Sequence, residues 1–75
     1  MEKKTKYITF SETVAPQHGK PTYVILNNKS QEPIGMIEFY PPWRQYVFSA
    51  YEEAVWNKDC LQEIVTFLGE LKGKN

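Results

Sequence analysis

The residues best equipped for recognition chemistry stand together in one ten-residue run, Phe39-Tyr40-Pro41-Pro42-Trp43-Arg44-Gln45-Tyr46-Val47-Phe48, which holds five aromatic rings, a diproline and the chain's sole arginine. Arginine differs from lysine in its planar fork, which grips a carboxylate or phosphate at two points and stacks on rings. Trp43, Tyr40 and Tyr46 are near enough in sequence to sandwich that guanidinium. Two readings follow. In one, Tyr40, Pro41, Pro42, Trp43, Arg44 and Tyr46 form a surface whose rings stack on a base or apolar group while Arg44 meets an anion. In the other, Arg44 packs across Trp43 and forms an ion pair with Glu38 or Glu52, and the motif is architecture. Pro41-Pro42 reads as a stiff turn rather than as a polyproline ligand, because no longer Pro-rich context surrounds it.

Catalytic chemistry has no comparable candidate. No nucleophile–base pair or carboxylate pair occurs at useful spacing, so the chain is read as not an enzyme. One histidine and one cysteine cannot supply the four ligands of a structural zinc site, and no cofactor motif is present. Cys60 falls in the first turn of a helix, where a thiol pKa can drop, but without a nearby base it reads as a small buried hydrophobe. His18, beside Gly19, reads as exposed loop.

The elements that must hold the aromatic run follow from patterning. At 75 residues the chain makes one domain, which buries about 60% of its unfolded surface. Its aromatic content of 15% is a means of building a core without staples. Residues 1–5 are polar and read as frayed. Tyr7-Ile8-Thr9-Phe10 is a short strand candidate, and Ser11 to Lys20 reads as a loop. Thr22 to Leu26 is a β-branched and aromatic strand, followed by a turn over residues 27–33. A second strand spans Ile34 to Tyr40, with Ile34, Met36 and Glu38 on one face and Gly35, Ile37 and Phe39 on the other. Gly35 leaves room for a ring or backbone to approach. Pro41-Pro42 ends the ladder, since neither residue has an N–H to donate. Gln45 to Ser49 resumes it, with Tyr46 and Phe48 opposite in direction to Val47.

Cys60, Leu61, Ile64, Val65, Phe67, Leu68 and Leu71 recur at helical spacing. Asn57 suits the N-cap and Asp59 the first turn. Trp56 is placed to staple onto Leu61, and Lys72-Gly73 ends the helix. A competing start exists, because Ser49-Ala50-Tyr51-Glu52 fits a capping box. Val55-Trp56-Asn57 would then be a poor helix interior, so a loop over 50–56 and a helix of about 58–72 are preferred. The expected fold is α+β: an antiparallel sheet of three strands, or four with residues 6–10, covered by one C-terminal helix whose Leu61, Ile64, Val65 and Leu68 face the sheet. Tyr46, Phe48 and Trp56 are core candidates, at least two of them buried.

The segment from Phe39 to Leu61 resembles a group of small proteins of Gram-positive bacteriophages, prophages and related mobile elements. Their pattern is an aromatic pair, two residues often Pro or Ser, then Trp-Arg-x-Tyr-x-Phe, a loop, an Asn or Asp, and Cys-Leu heading a final helix. Here these are Phe39-Tyr40, Pro41-Pro42, Trp43 to Phe48, Asn57 and Cys60-Leu61. Two positions depart from it: Phe39 stands where that group usually has Trp, and Val47 where it carries a Cys in the third strand. The resemblance implies a phage-borne accessory protein that blocks, sequesters or redirects a host factor.

Three expectations about partners result. A host protein or a small anionic ligand, such as a nucleotide, suits rings plus one arginine, since stacking contributes about 1–3 kcal/mol per base. One chain offers little concave surface, so a homodimer interface would house a small ligand. An integrase-arm-like DNA-binding module is the alternative, and it calls for a helix from residue 50 with Lys20, Lys29 and Arg44 on one sheet face. Zero net charge disfavours nucleic acid. No signal peptide or membrane span is visible, and the free thiol suits a reducing cytosol, so the expected location is the cytoplasm of a bacterial host cell.

Overall fold

The computed structural model describes residues 2–13 and 19–72. His18 and Gly73 therefore lie outside the described residues. The chain forms strands β1 (Glu2–Lys4), β2 (Ile8–Glu12), β3 (Tyr23–Asn27), β4 (Pro33–Tyr40) and β5 (Gln45–Ala50), then one helix, α1 (Lys58–Lys72). The strands join into one five-stranded antiparallel sheet in sequence order, β1 to β5. The α+β class holds, but the strand count is five rather than three or four.

The additional strand is β1, in the segment expected to fray. Its sequence, Glu-Lys-Lys, carries no apolar signal. Two tertiary contacts hold it. Its backbone pairs with β2, Lys3 lying opposite Phe10, and the Lys3 Nζ donates to Glu70 Oε2 of the helix at 2.6 Å. The same ammonium lies 5.9 Å from the centre of the Phe67 ring. β2 also runs two residues further than the apolar patch, through Ser11 and Glu12, because β3 offers Val24 and Tyr23 as partners.

Register determines which residues share a face. Phe10, Ile25 and Gly35 stand in line across β2, β3 and β4, and Tyr23, Ile37 and Phe48 stand in the adjacent line across β3, β4 and β5. These residues turn toward the helix. Phe10, Phe67, Ile8, Ile25 and Ile37 are the largest fully buried side chains, each contributing about 1.5–3 kcal/mol on burial. Phe10 stacks on Phe67 with centroids 4.1 Å apart, and Tyr23 meets Phe67 edge-on at 5.0 Å. A Cβ at Gly35 would lie 2.9 Å from Phe48 Cε1 and 3.3 Å from Trp56 Cζ2, so the absent side chain makes room for both rings. The register shifts between Ile25 and Leu26, where the partners pass from Gly35 to Pro33. Ile34 is thereby set out of the regular alternation and packs against the core.

The helix begins at Lys58, as preferred over residue 50. The Asn57 Oδ1 accepts the Cys60 N–H at 2.8 Å, which satisfies one of the helix's orphan donors. The expected inward face needs correction. Cys60, Ile64, Phe67 and Leu71 are buried and Leu68 is half-buried, but Leu61 is 45% exposed and Val65 62% exposed. Successive helix residues are about 100° apart, so Cys60-Ile64-Phe67-Leu71 and Leu61-Val65-Leu68 form neighbouring stripes. The sheet covers only the first. The Lys3–Glu70 bond and the Phe10–Phe67 stack tie the first stripe to β1 and β2 through side chains, while the helix backbone comes nearest to β5. Trp56 meets Phe48 edge-on at 5.0 Å. Tyr46, Phe48 and Trp56 all pack against the core while remaining partly exposed, so none of the three is fully buried.

Candidate functional site

The aromatic run folds as the tip of the β4–β5 hairpin and its two flanks. Pro41, by its ring, favours extended backbone at the residue before it, and Tyr40 is extended at φ −108°. Pro41–Trp43 then makes a single 3₁₀ turn, with prolines at the first positions where a missing N–H costs nothing. Arg44 closes the loop in the left-handed region, φ 53° and ψ 41°, its N–H donating to the Pro41 carbonyl at 3.1 Å. Tyr40 and Gln45 stand opposite each other at the base of this four-residue loop.

The tip stands in solvent. Trp43 is 66% exposed and Tyr40 41% exposed, and Pro41, Pro42 and Arg44 are exposed with them. The Tyr40 and Trp43 rings meet edge-on, 5.1 Å apart at 84°. Arg44 makes no ion pair or ring contact with a described residue: the ring–cation contacts belong to Lys3, Lys6 and Lys20. The packing of Arg44 across Trp43 and its pairing with Glu38 or Glu52 are therefore not what the fold adopts.

Five of the six predicted residues, Tyr40 through Arg44, come together at the tip. Tyr46 does not join them. It lies on the helix-side face, edge-on to Phe39 at 5.7 Å. Burial, reinforced by the nearby Glu12 carboxylate, raises its phenol above the ordinary value of 10.0. Tyr23 is raised for the same reasons, burial first, then Glu12 and Tyr46. Both phenols are therefore neutral in any ordinary medium.

Sequence reasoning missed a cavity at the other end of the sheet. About 390 Å³ of space opens between the β1–β2 turn, the β3–β4 turn and the start of the helix, with Lys6, Tyr7, Lys29, Ile34, Trp56 and Cys60 in its lining. Its wall comes from four separate segments, so no local motif could announce it. Cys60 is buried there as the small hydrophobe expected. The Trp56 indole Nε1 is buried without a hydrogen-bond partner among the described residues. No group of acidic, histidine and cysteine side chains among the described residues could hold a metal ion, and no described helix is long and apolar enough to cross a membrane.

The molecule is thus defined as a small antiparallel meander, covered on one face by a helix and carrying an exposed aromatic tip. Comparison with known proteins gives it a family. The chain is 32% identical over 71 residues to an uncharacterized 9.3 kDa protein of Acholeplasma phage L2, an alignment covering 92% of this chain and 88% of that relative. The chain belongs to this family of small phage proteins. No protein-family model matches it, and no solved structure does.

Proposed function

We propose that the protein is a non-enzymatic accessory factor of a phage or related mobile element, which binds a host protein in the cytoplasm and sequesters or modulates it through the hairpin tip. The observation that carries this reading is the placement of Trp43: two thirds exposed, held by a diproline turn, and paired edge-on with Tyr40. A large ring on a rigid turn loses little conformational freedom when a partner covers it, and buried Trp and Tyr anchors dominate interface energetics.

Convexity favours a protein over the small anionic ligand. Small-molecule sites are concave and cover most of their ligand, whereas a hairpin tip projects outward and inserts into a groove of its partner. The integrase-arm-like alternative calls for a helix from residue 50, whereas α1 starts at Lys58.

The test is affinity capture from a lysate of the bacterial host, comparing the wild type with Trp43→Ala. Wild-type chain should retain one protein in stoichiometric amount. The variant should lose it by roughly 30-fold or more in affinity, the scale of a hot-spot truncation. Its melting temperature should stay close to that of the wild type, since an exposed side chain away from the core changes stability by about 0.5 kcal/mol at most. Equal capture by both chains would remove the tip as the contact.

A further inference from the structure

The two edges of the sheet are built differently. β1 is three residues long and all three are charged, the usual protection of an edge against further pairing. β5 is six residues long, reads Gln-Tyr-Val-Phe-Ser-Ala, and carries no charge or proline. Its outward hydrogen-bonding groups can be identified. Tyr51 donates its N–H to the Ile34 carbonyl. Hydrogen-bonded pairs alternate along an antiparallel ladder, so Ser49, Val47 and Gln45 bond to β4 while Tyr46, Phe48 and Ala50 direct their N–H and C=O groups away from it. No described residue receives those outward groups.

We propose that β5 pairs antiparallel with β5 of a second copy of this chain, with Phe48 on the two-fold axis, joining two sheets into one of ten strands. Among two-fold registers, only this one matches all three outward residues of each copy: Phe48 with Phe48, Tyr46 with Ala50, and Ala50 with Tyr46. The same register brings the Arg44 turn of each copy beside the 51–54 turn of the other, which carries Glu52 and Glu53, twice by symmetry. Charge complementarity between these two turns therefore favours the register that the hydrogen-bond pattern selects. Arg44 has no ion-pair or ring–cation partner among the described residues, and its two-point fork suits a carboxylate. Both helices then lie on one face of the joined sheet, and the tip of each copy lies beside the 51–54 turn of the other. This inference is independent of Trp43 as a host contact. Trp43→Ala leaves the assembly unchanged, so the two readings fail separately.

Charge reversal with sedimentation equilibrium is the test. The wild type should sediment as a dimer. Arg44→Glu and Glu52→Arg should each raise the dissociation constant at least about tenfold, because like charges then face each other. The combination Arg44→Glu with Glu52→Arg should restore it. Both positions are exposed and outside the core, and a melting curve for each variant confirms folding. Amide exchange gives a second readout: the N–H groups of Tyr46, Phe48 and Ala50 should gain protection as concentration rises. A monomeric wild type, a dimer indifferent to either reversal, failure of the double variant to recover, or unprotected amides at Tyr46, Phe48 and Ala50 in the dimer would each overturn the proposal.

Discussion

Two ring pairs in this molecule have nearly the same geometry and opposite uses. Tyr23 meets Phe67 at 5.0 Å and 86°, and Tyr40 meets Trp43 at 5.1 Å and 84°. The first pair is enclosed by Phe10, Ile25 and Ile37, with Tyr23 and Phe67 both buried. The second is in water. Edge-to-face geometry contributes about 0.5–1.5 kcal/mol beyond area burial, so the larger difference between the pairs is the burial itself. In the core, ring geometry is a consequence of packing. At the tip, it is imposed by two prolines and one left-handed residue, with no packing to reward it. The tip can therefore change with little effect on the fold.

The strongest way to break this contrast is Phe67→Ala. Phe67 is 1% exposed and touches both Phe10 and Tyr23. Truncating a buried phenylalanine costs about 3–5 kcal/mol, which a domain this small does not comfortably survive. Chemical denaturation should show either an unfolded chain or a midpoint displaced by that amount. A loss below about 1 kcal/mol would mean that the helix is not the lid of the core, and the distinction between the two ring pairs would lose its basis.

Gly35→Ala probes the same core by addition. The new methyl would sit 2.9 Å from Phe48 Cε1 and 2.9 Å from the Ser49 carbonyl oxygen. The ring can yield, but the carbonyl belongs to the β4–β5 ladder and cannot move without disturbing it. Overpacking of this kind costs about 1–3 kcal/mol, again read from the denaturation midpoint. A neutral result would show that the Phe48–Trp56 layer is loosely packed, more like the tip than the core.

What the sequence made legible follows the same division. Asn57, Asp59 and the apolar period from Cys60 onward fixed the helix start, because capping and amphipathicity are local. The tip was equally legible: Pro41-Pro42 can hardly be anything but a turn. What stayed hidden was non-local. β1 shows no pattern of its own, because its pairing is supplied by β2 and its anchor, Glu70, lies at the far end of the chain. The choice between the Cys60-Ile64-Phe67-Leu71 stripe and the Leu61-Val65-Leu68 stripe depends on how the helix rolls on the sheet. Apolar periodicity alone cannot decide that when both stripes are apolar. Proximity in sequence puts Tyr46 with the tip, yet strand alternation places it on the face opposite to Tyr40.

The smallest expected effect sharpens the contrast most. Arg44 holds φ 53° with no ion pair or ring–cation contact to a described residue. A residue with a Cβ in the left-handed region costs roughly 1–2 kcal/mol relative to an ordinary conformation. Glycine removes that cost but loses about 0.5–1 kcal/mol through the greater freedom of its unfolded chain. Arg44→Gly should therefore stabilise the fold by a few tenths to about 1 kcal/mol, at most several degrees in melting temperature for a chain of this size. The measurement belongs at a dilution where the wild type is monomeric, so that loss of the charge does not enter through assembly. A higher melting temperature means that the tip keeps an arginine that folding alone would discard, and that its use is intermolecular. A lower one means that Arg44 holds the hairpin together from within, and the tip then belongs to the architecture as fully as the ring pair under the helix.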